Sequence, residues 1–162
     1  VAVIRVGGAS ETEVEEKKDR IDDALGATRA AIEGGLVHGG GCALLHAAQK
    51  IDMNDLNIVN SDEKAGVDIM LEAIKQPLKH IVENAGNSGD YVSETVINNA
   101  VDNDTFGYNA ATEEYGDIYE MGIIDPVNVT KSALQNAASV ATLLLTSKTI
   151  LMKQQQVKAV MG

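Results

Sequence analysis

The chain has 162 residues, 44% of them apolar, and a formal net charge of −11, which sets a prior of one domain with enough apolar material for a core. The acidic balance argues against nucleic acid or an anionic membrane surface as a partner, because both reward Lys/Arg patches. With no Trp and one Phe the core has to be aliphatic, and such cores are usually helical.

Val1–Val6 (VAVIRV) is short and β-branched and reads as a strand, ended by Gly7-Gly8. Ser10 followed by Glu13 makes a capping box. It opens a long helix to about Glu33, with Val14, Ile21, Leu25, Thr28 and Ile32 on one stripe. Gly34-Gly35 stops it. Leu36–Gly41 reads as a tight glycine turn and Cys42–Lys50 as a short Ala/Leu helix. Ile51–Asn60 is polar and irregular. Ser61 or Asp62 caps a helix carrying Val67, Met70, Leu71 and Ile74. Pro77 suits the first turn of another, carrying Leu78, Ile81, Val82 and Ala85. Tyr91–Asn99 reads as a short helix, with a strand as the alternative. Phe106–Asn109 and Asp117–Glu120 flank a polar turn and predict a β-hairpin. Asp125-Pro126 starts a last long helix to about Ser147, and the tail from 152 onward is weakly patterned. The sum is a mostly α chain with one N-terminal strand and a small hairpin.

The single Cys42 leaves no internal disulfide and fits a reducing compartment; it reads as a small buried hydrophobe. No apolar run approaches the roughly 18 residues of a membrane span. No secretory signal is visible, and the chain opens on Val, so Val1 is not expected to be the natural N-terminus. His38, His46 and His80 lack metal-ligand spacing, so no metal site is assigned. Asn128-Val129-Thr130 matches a glycosylation sequon by chance.

Few residues stand out chemically, and each has two readings. Asp22-Asp23 sit in the first helix as solvated acids, but Asp23 adjoins the apolar stripe. A carboxylate at a cleft edge can orient an attacking water. Gly39-Gly40-Gly41 is a structural turn or a place for close backbone approach by an anion. It is neither a Walker A loop nor G-x-G-x-x-G. Asn109-Ala110-Ala111 is a hairpin turn or a base and ribose contact, since Asn both donates and accepts. Asp125 is a helix cap or a ribose ligand.

Their order is more specific than any one of them. The stretch VAVIRVGGASETEVEEKKDRIDDALGATRAAIEGGLVHGGG resembles the group I chaperonins, the bacterial, mitochondrial and plastid heat-shock family. So do PLKHIVENAG, GYNAATEEYGDIYEMGIIDP and VTKSALQNAASVATLLLT. The similarity runs from Val1 to about Thr146. The resemblance implies an ATP-driven chaperone that encapsulates and refolds client proteins. Residues 1–35 look like the C-terminal part of its intermediate hinge domain. Residues 36–151 look like the C-terminal half of its equatorial ATPase domain, an equatorial-domain-like helical bundle, and 152–162 like a tail.

By the same resemblance Asp23 is the catalytic aspartate, and Gly40, Asn109, Ala110, Ala111 and Asp125 contact ATP. The partners implied are other subunits in a double heptameric ring, a co-chaperonin, and unfolded clients held by an apical domain. The setting is bacterial cytoplasm, mitochondrial matrix or plastid. The family's Gly-Asp-Gly-Thr-Thr phosphate loop, with its Mg2+-binding Asp, is absent from this sequence, as is the apical domain. The chain therefore reads as a C-terminal fragment, inactive alone. The alternative is a non-catalytic helical oligomerisation module. His38 departs from the family, which usually has a small residue or Pro there.

Overall fold

The computed structural model describes residues 2–101, 103–149 and 151. Its helices are α1 (Glu11–Gly34), α2 (Cys42–Gln49), α3 (Ser61–Ala73), α4 (Gln76–Asn84), α5 (Gly89–Ala100) and α6 (Val127–Thr146). Its strands are β1 (Leu36–His38), β2 (Phe106–Asn109), β3 (Glu114–Asp117) and β4 (Ile124–Pro126). The chain is mostly helical, as its composition predicts. It divides into two compact units, Val1–Val129 and one that begins at Thr130. Among the described residues no helix is long and apolar enough to cross a membrane. The predicted tail, 152–162, lies outside the described residues.

The Ser10 box forms as the sequence predicts. Ser10 Oγ accepts from the Glu13 N–H at 3.2 Å, and the Glu13 carboxylate reaches back to the Ala9 N–H at 2.8 Å, so two donors at the helix start are satisfied. Gly35, at φ +83, ends α1 and returns its N–H to the Ala31 carbonyl. The stripe, however, is not covered. No residue of α1 is buried, and Ile32 is 81% exposed. Ala2, Ile4 and Val6 line a groove with Val14, Ile21 and Leu25, but the predicted N-terminal strand is not there. Residues 2–8 carry no strand, because a strand needs a neighbour for its backbone groups and no described segment supplies one.

The core lies further along the chain. Cys42 and Leu45 of α2, Leu78 and Val82 of α4, Val92 and Val96 of α5, Tyr108 and Ile118 form one buried cluster. Each helix contributes a pair at i,i+3 or i,i+4, the spacing that puts side chains on one face. Burying a leucine such as Leu45 or Leu78 stabilises by about 1.5–3 kcal/mol. Pro77 sits in the first turn of α4 as predicted. The cap of α3 is Asn60, one residue before Ser61 and two before Asp62, the expected caps. Asn60 Oδ1 accepts from the N–H groups of Asp62 and Glu63 at 3.0 and 2.9 Å. Lys79 of α4 bridges Glu72 and Asp90 at 2.8 Å each, tying the end of α3 to the start of α5.

Both strand pairs are antiparallel. In the hairpin, Phe106 faces Asp117 and Asn109 faces Glu114, so the second strand lies three residues earlier than the predicted Asp117–Glu120. Asn109 causes the shift. Its Oδ1 accepts from the Ala111 N–H at 2.9 Å, its carbonyl accepts from the Glu113 N–H at 2.8 Å, and Glu113 takes φ +61. The turn therefore closes over Ala110–Glu113. The second pair corrects two expectations. Leu36–His38 is a strand and not part of the turn, and Asp125-Pro126 belongs to a strand and not to the start of α6. Leu36 pairs with Pro126, Val37 with Asp125 and His38 with Ile124. The Gly39 N–H extends that ladder to the Ile123 carbonyl at 2.9 Å.

Candidate functional site

The β1–β4 ladder brings distant residues to one edge of the core. β1 delivers the chain into Gly39–Gly41, where Gly40 has φ +63 and Gly41 φ +80, left-handed values that glycine alone adopts without strain. The turn lies over the base of the hairpin. A Cβ on Gly40 would stand 3.5 Å from Ile123 Cγ2 and 3.9 Å from the Tyr108 carbonyl oxygen. Ala110, two residues on, packs against the core cluster, whereas Ala111 is exposed.

Asp125 faces Val37 in the ladder and is half-buried. Burial pushes its carboxyl above the usual aspartate range, and its charge reaches the Cys42 thiol at the start of α2. That thiol is itself pushed up to about 11 by burial, so it stays protonated and packs as a hydrophobe. Asn109 Oδ1 is engaged by the turn, which leaves its Nδ2 amide as the group it can offer a ligand. Gly40 thus stands beside the Tyr108 carbonyl, next to Asn109 and Ala110 in the chain, and Asp125 stands opposite the strand that leads into Gly40.

Asp23 does not join them. It is exposed, near the middle of α1, about 17 Å along the helix axis from Gly34 at 1.5 Å per residue. The expectation that it borders a buried stripe is corrected: Asp22 is the acid that lines the groove beside Ile21 and Leu25.

Two residues that the sequence marks as lacking metal-ligand spacing meet in the fold. His38, at the end of β1, and His46, in α2, meet across the glycine turn with their Nδ1 atoms 3.0 Å apart. Tyr119 packs on the other side of His38, with ring centroids 4.5 Å apart. Burial lowers the pKa of both histidines, and for His46 the neighbouring His38 lowers it further. A usable signal was present: His46 follows Cys42 by four and Leu45 by one, which places it on the buried face of α2. Among the described residues no group of three or more His, Cys, Asp or Glu side chains gathers to hold a metal ion.

The model of the TCP-1/cpn60 chaperonin family matches residues 1–155 of the chain.

Proposed function

The chain belongs to the TCP-1/cpn60 chaperonin family, and on that premise we propose that it supplies the base-and-ribose side of the ATP pocket in a group I subunit. The family's work is chaperoning, carried out by assemblies of like subunits. Within that work, ATP hydrolysis supplies the free energy for domain movement. This chain's residues have narrower duties. The Gly39–Gly41 turn lets a ligand approach the backbone. The Asn109 amide and the backbone at Ala110-Ala111 hold the base and ribose. Asp125 accepts from a ribose hydroxyl, and Asp23 orients the attacking water.

Three features suit a nucleotide. Two adjacent glycines are left-handed. Asp125 is half-buried with its charge disfavoured by desolvation, so a hydroxyl donor there would be favourable. The Asn109 side chain keeps its donor end. The observation that carries the reading is twofold: Asp125 faces Val37, three residues before Gly40, and a Cβ on Gly40 would lie 3.9 Å from the carbonyl oxygen of Tyr108, the residue before Asn109. A Mg2+ ion would be held by a Gly-Asp-Gly-Thr-Thr loop that this sequence does not contain. The phosphate grip would therefore come from elsewhere in the subunit. On this reading residues 1–35 are the end of a hinge domain and 36–151 half of an equatorial domain. Double heptameric rings, a co-chaperonin and unfolded clients are the partners, in bacterial cytoplasm, mitochondrial matrix or plastid.

In the intact subunit, Asp125→Ala is expected to weaken Mg-ATP binding by at least about tenfold, the effect of one lost hydrogen bond to a charged group. Calorimetric titration measures it, and an unchanged Kd would contradict the reading. A second reading has its own support. In α6, Leu143 and Leu145 are 67% and 83% exposed, and apolar faces of that kind suit a chain that associates through its helices.

A further inference from the structure

The histidine pair has no part in the nucleotide contacts above, yet it spans the turn on which they rest. His38 is the residue immediately before Gly39, and His46 lies in the helix that begins immediately after Gly41. An Nδ1–Nδ1 separation of 3.0 Å accommodates one proton: one ring donates through Nδ1–H, the other accepts with its Nδ1 lone pair. Neither Nε2 atom has a hydrogen-bond partner among the described residues, and both are buried. The rings are therefore anchored by each other and by packing, including Tyr119 against His38.

We propose that His38 and His46 are positioning residues, a proton-dependent latch whose shared Nδ1 proton holds the Gly39–Gly41 turn in the shape it presents to a nucleotide. The proposal rests on the nucleotide reading for its consequence, though not for its chemistry.

The proton count is simple. Two neutral rings carry two N–H groups, and only one of these lies in the gap. The donor ring has a bare Nε2 and the acceptor ring carries its hydrogen on Nε2. A further proton on the donor ring's Nε2 places an imidazolium in a buried site. When the acceptor ring is also protonated, both Nδ1 atoms carry hydrogen, and the 3.0 Å gap cannot close. The rings must then part.

The charged groups around the pair are few. Asp104, before β2, is bound to Lys50 at the end of α2 at 2.6 Å. Asp117, ending β3, is held by the Thr105 hydroxyl and by the N–H groups of Tyr119 and Glu120. Both carboxylates favour protonation of His38, and Lys50 opposes it. At His46 the Phe106 carbonyl and Asp104 favour the charged ring, and His38 and Lys50 oppose it. The thiol of Cys42 stays neutral. Burial is the largest influence on each ring and disfavours the cation. A base with a depressed folded pKa contributes stability that is complete above its unfolded value, 6.5 for histidine, and lost as pH falls below it. The latch is closed at neutral pH and opens on acidification.

The test is hydrogen exchange in the intact, nucleotide-free assembly, following the peptide that covers the turn and α2 and correcting for intrinsic exchange. Between about pH 7.5 and about pH 5.5 the wild type should lose protection at least about tenfold. His46→Leu leaves one titratable ring and no shared proton, and should show a markedly smaller step. His38→Asn serves as the second variant if the first fails to fold. Mg-ATP affinity should fall over the same interval in the wild type and fall markedly less in the variants. Wild-type protection that is flat with pH, or variants as pH-sensitive as wild type, would overturn the latch. A step in exchange that affinity does not follow would overturn the positioning role. Because exchange is read without nucleotide, failure of the Asp125 reading leaves it intact and is distinguishable from failure of the latch.

Discussion

Asp23→Ala in the intact subunit is expected to leave Mg-ATP binding within about twofold of wild type and to cut steady-state hydrolysis by at least about a hundredfold, the lower range for loss of a water-orienting group. On the proposed reading, Asp23 would act by movement rather than by standing proximity. Asp23 sits about 17 Å up α1 from the end that joins the ladder. The helix is 24 residues long and has no buried residue, so little in this chain fixes its far half. Its C-terminal end is tied down. Gly35 caps it, and the Val127 N–H bonds to the Gly35 carbonyl at 3.1 Å. On that reading, a swing about Gly34-Gly35 would carry Asp23 as on a lever and would couple hydrolysis to domain closure. Near-normal steady-state turnover by the variant would remove Asp23 from the mechanism.

The second large effect falls on Gly41. A Cβ there would lie 2.5 Å from the Leu78 backbone nitrogen, 2.9 Å from Leu78 Cα and 3.0 Å from the Pro77 carbonyl carbon. These are backbone atoms and cannot rotate aside. Leu78 is itself fully buried in the core cluster, and the φ of +80 at Gly41 strains any other residue. Gly41→Ala should therefore destabilise by about 3 kcal/mol or more, a fall in Tm of about 6–12 °C for a chain of this size. Gly26→Ala is the matched control. Gly26 lies inside α1 with nothing within 4 Å of its added methyl, and that change should stabilise by about 0.5–1 kcal/mol. Thermal unfolding of both variants measures the contrast, and equal Tm values would show that the α2–α4 contact is loose.

Local signals in the sequence were reliable where the determinants are local. The Ser10 capping box, Pro77 at the start of α4 and the i,i+4 pair Leu78/Val82 lead directly to observed helices, whereas Val92, Val96 and Ile97 leave a strand open where α5 forms. What failed depended on distant partners. β1 and β4 are three residues each, and neither repeats an alternating pattern. Each is a strand only because the other lies beside it, with Val37 facing Asp125 across the fold. Without that partner, Leu36–Gly41 reads as a glycine turn and Asp125-Pro126 as a helix start. The reverse holds at Val1–Val6, whose β-branched pattern invites a strand that no described neighbour completes. At the candidate site, Gly40, Asn109, Ala110 and Asp125 are nameable from the family resemblance, and the fold adds that Gly40 lies beside the Tyr108 carbonyl and Asp125 opposite Val37. The His38–His46 contact was not legible, because it depends on the path the chain takes through the glycine turn.

On the proposed reading, Gly107–Pro126 and the glycine turn form the base and ribose side of an ATP pocket. Photolabelling of the intact subunit with a base-azido ATP, followed by peptide mapping, tests it most directly. Label is expected within Gly107–Pro126, competed away by unlabelled ATP and reduced by Asp125→Ala. Competable label confined to other segments of the subunit would contradict it.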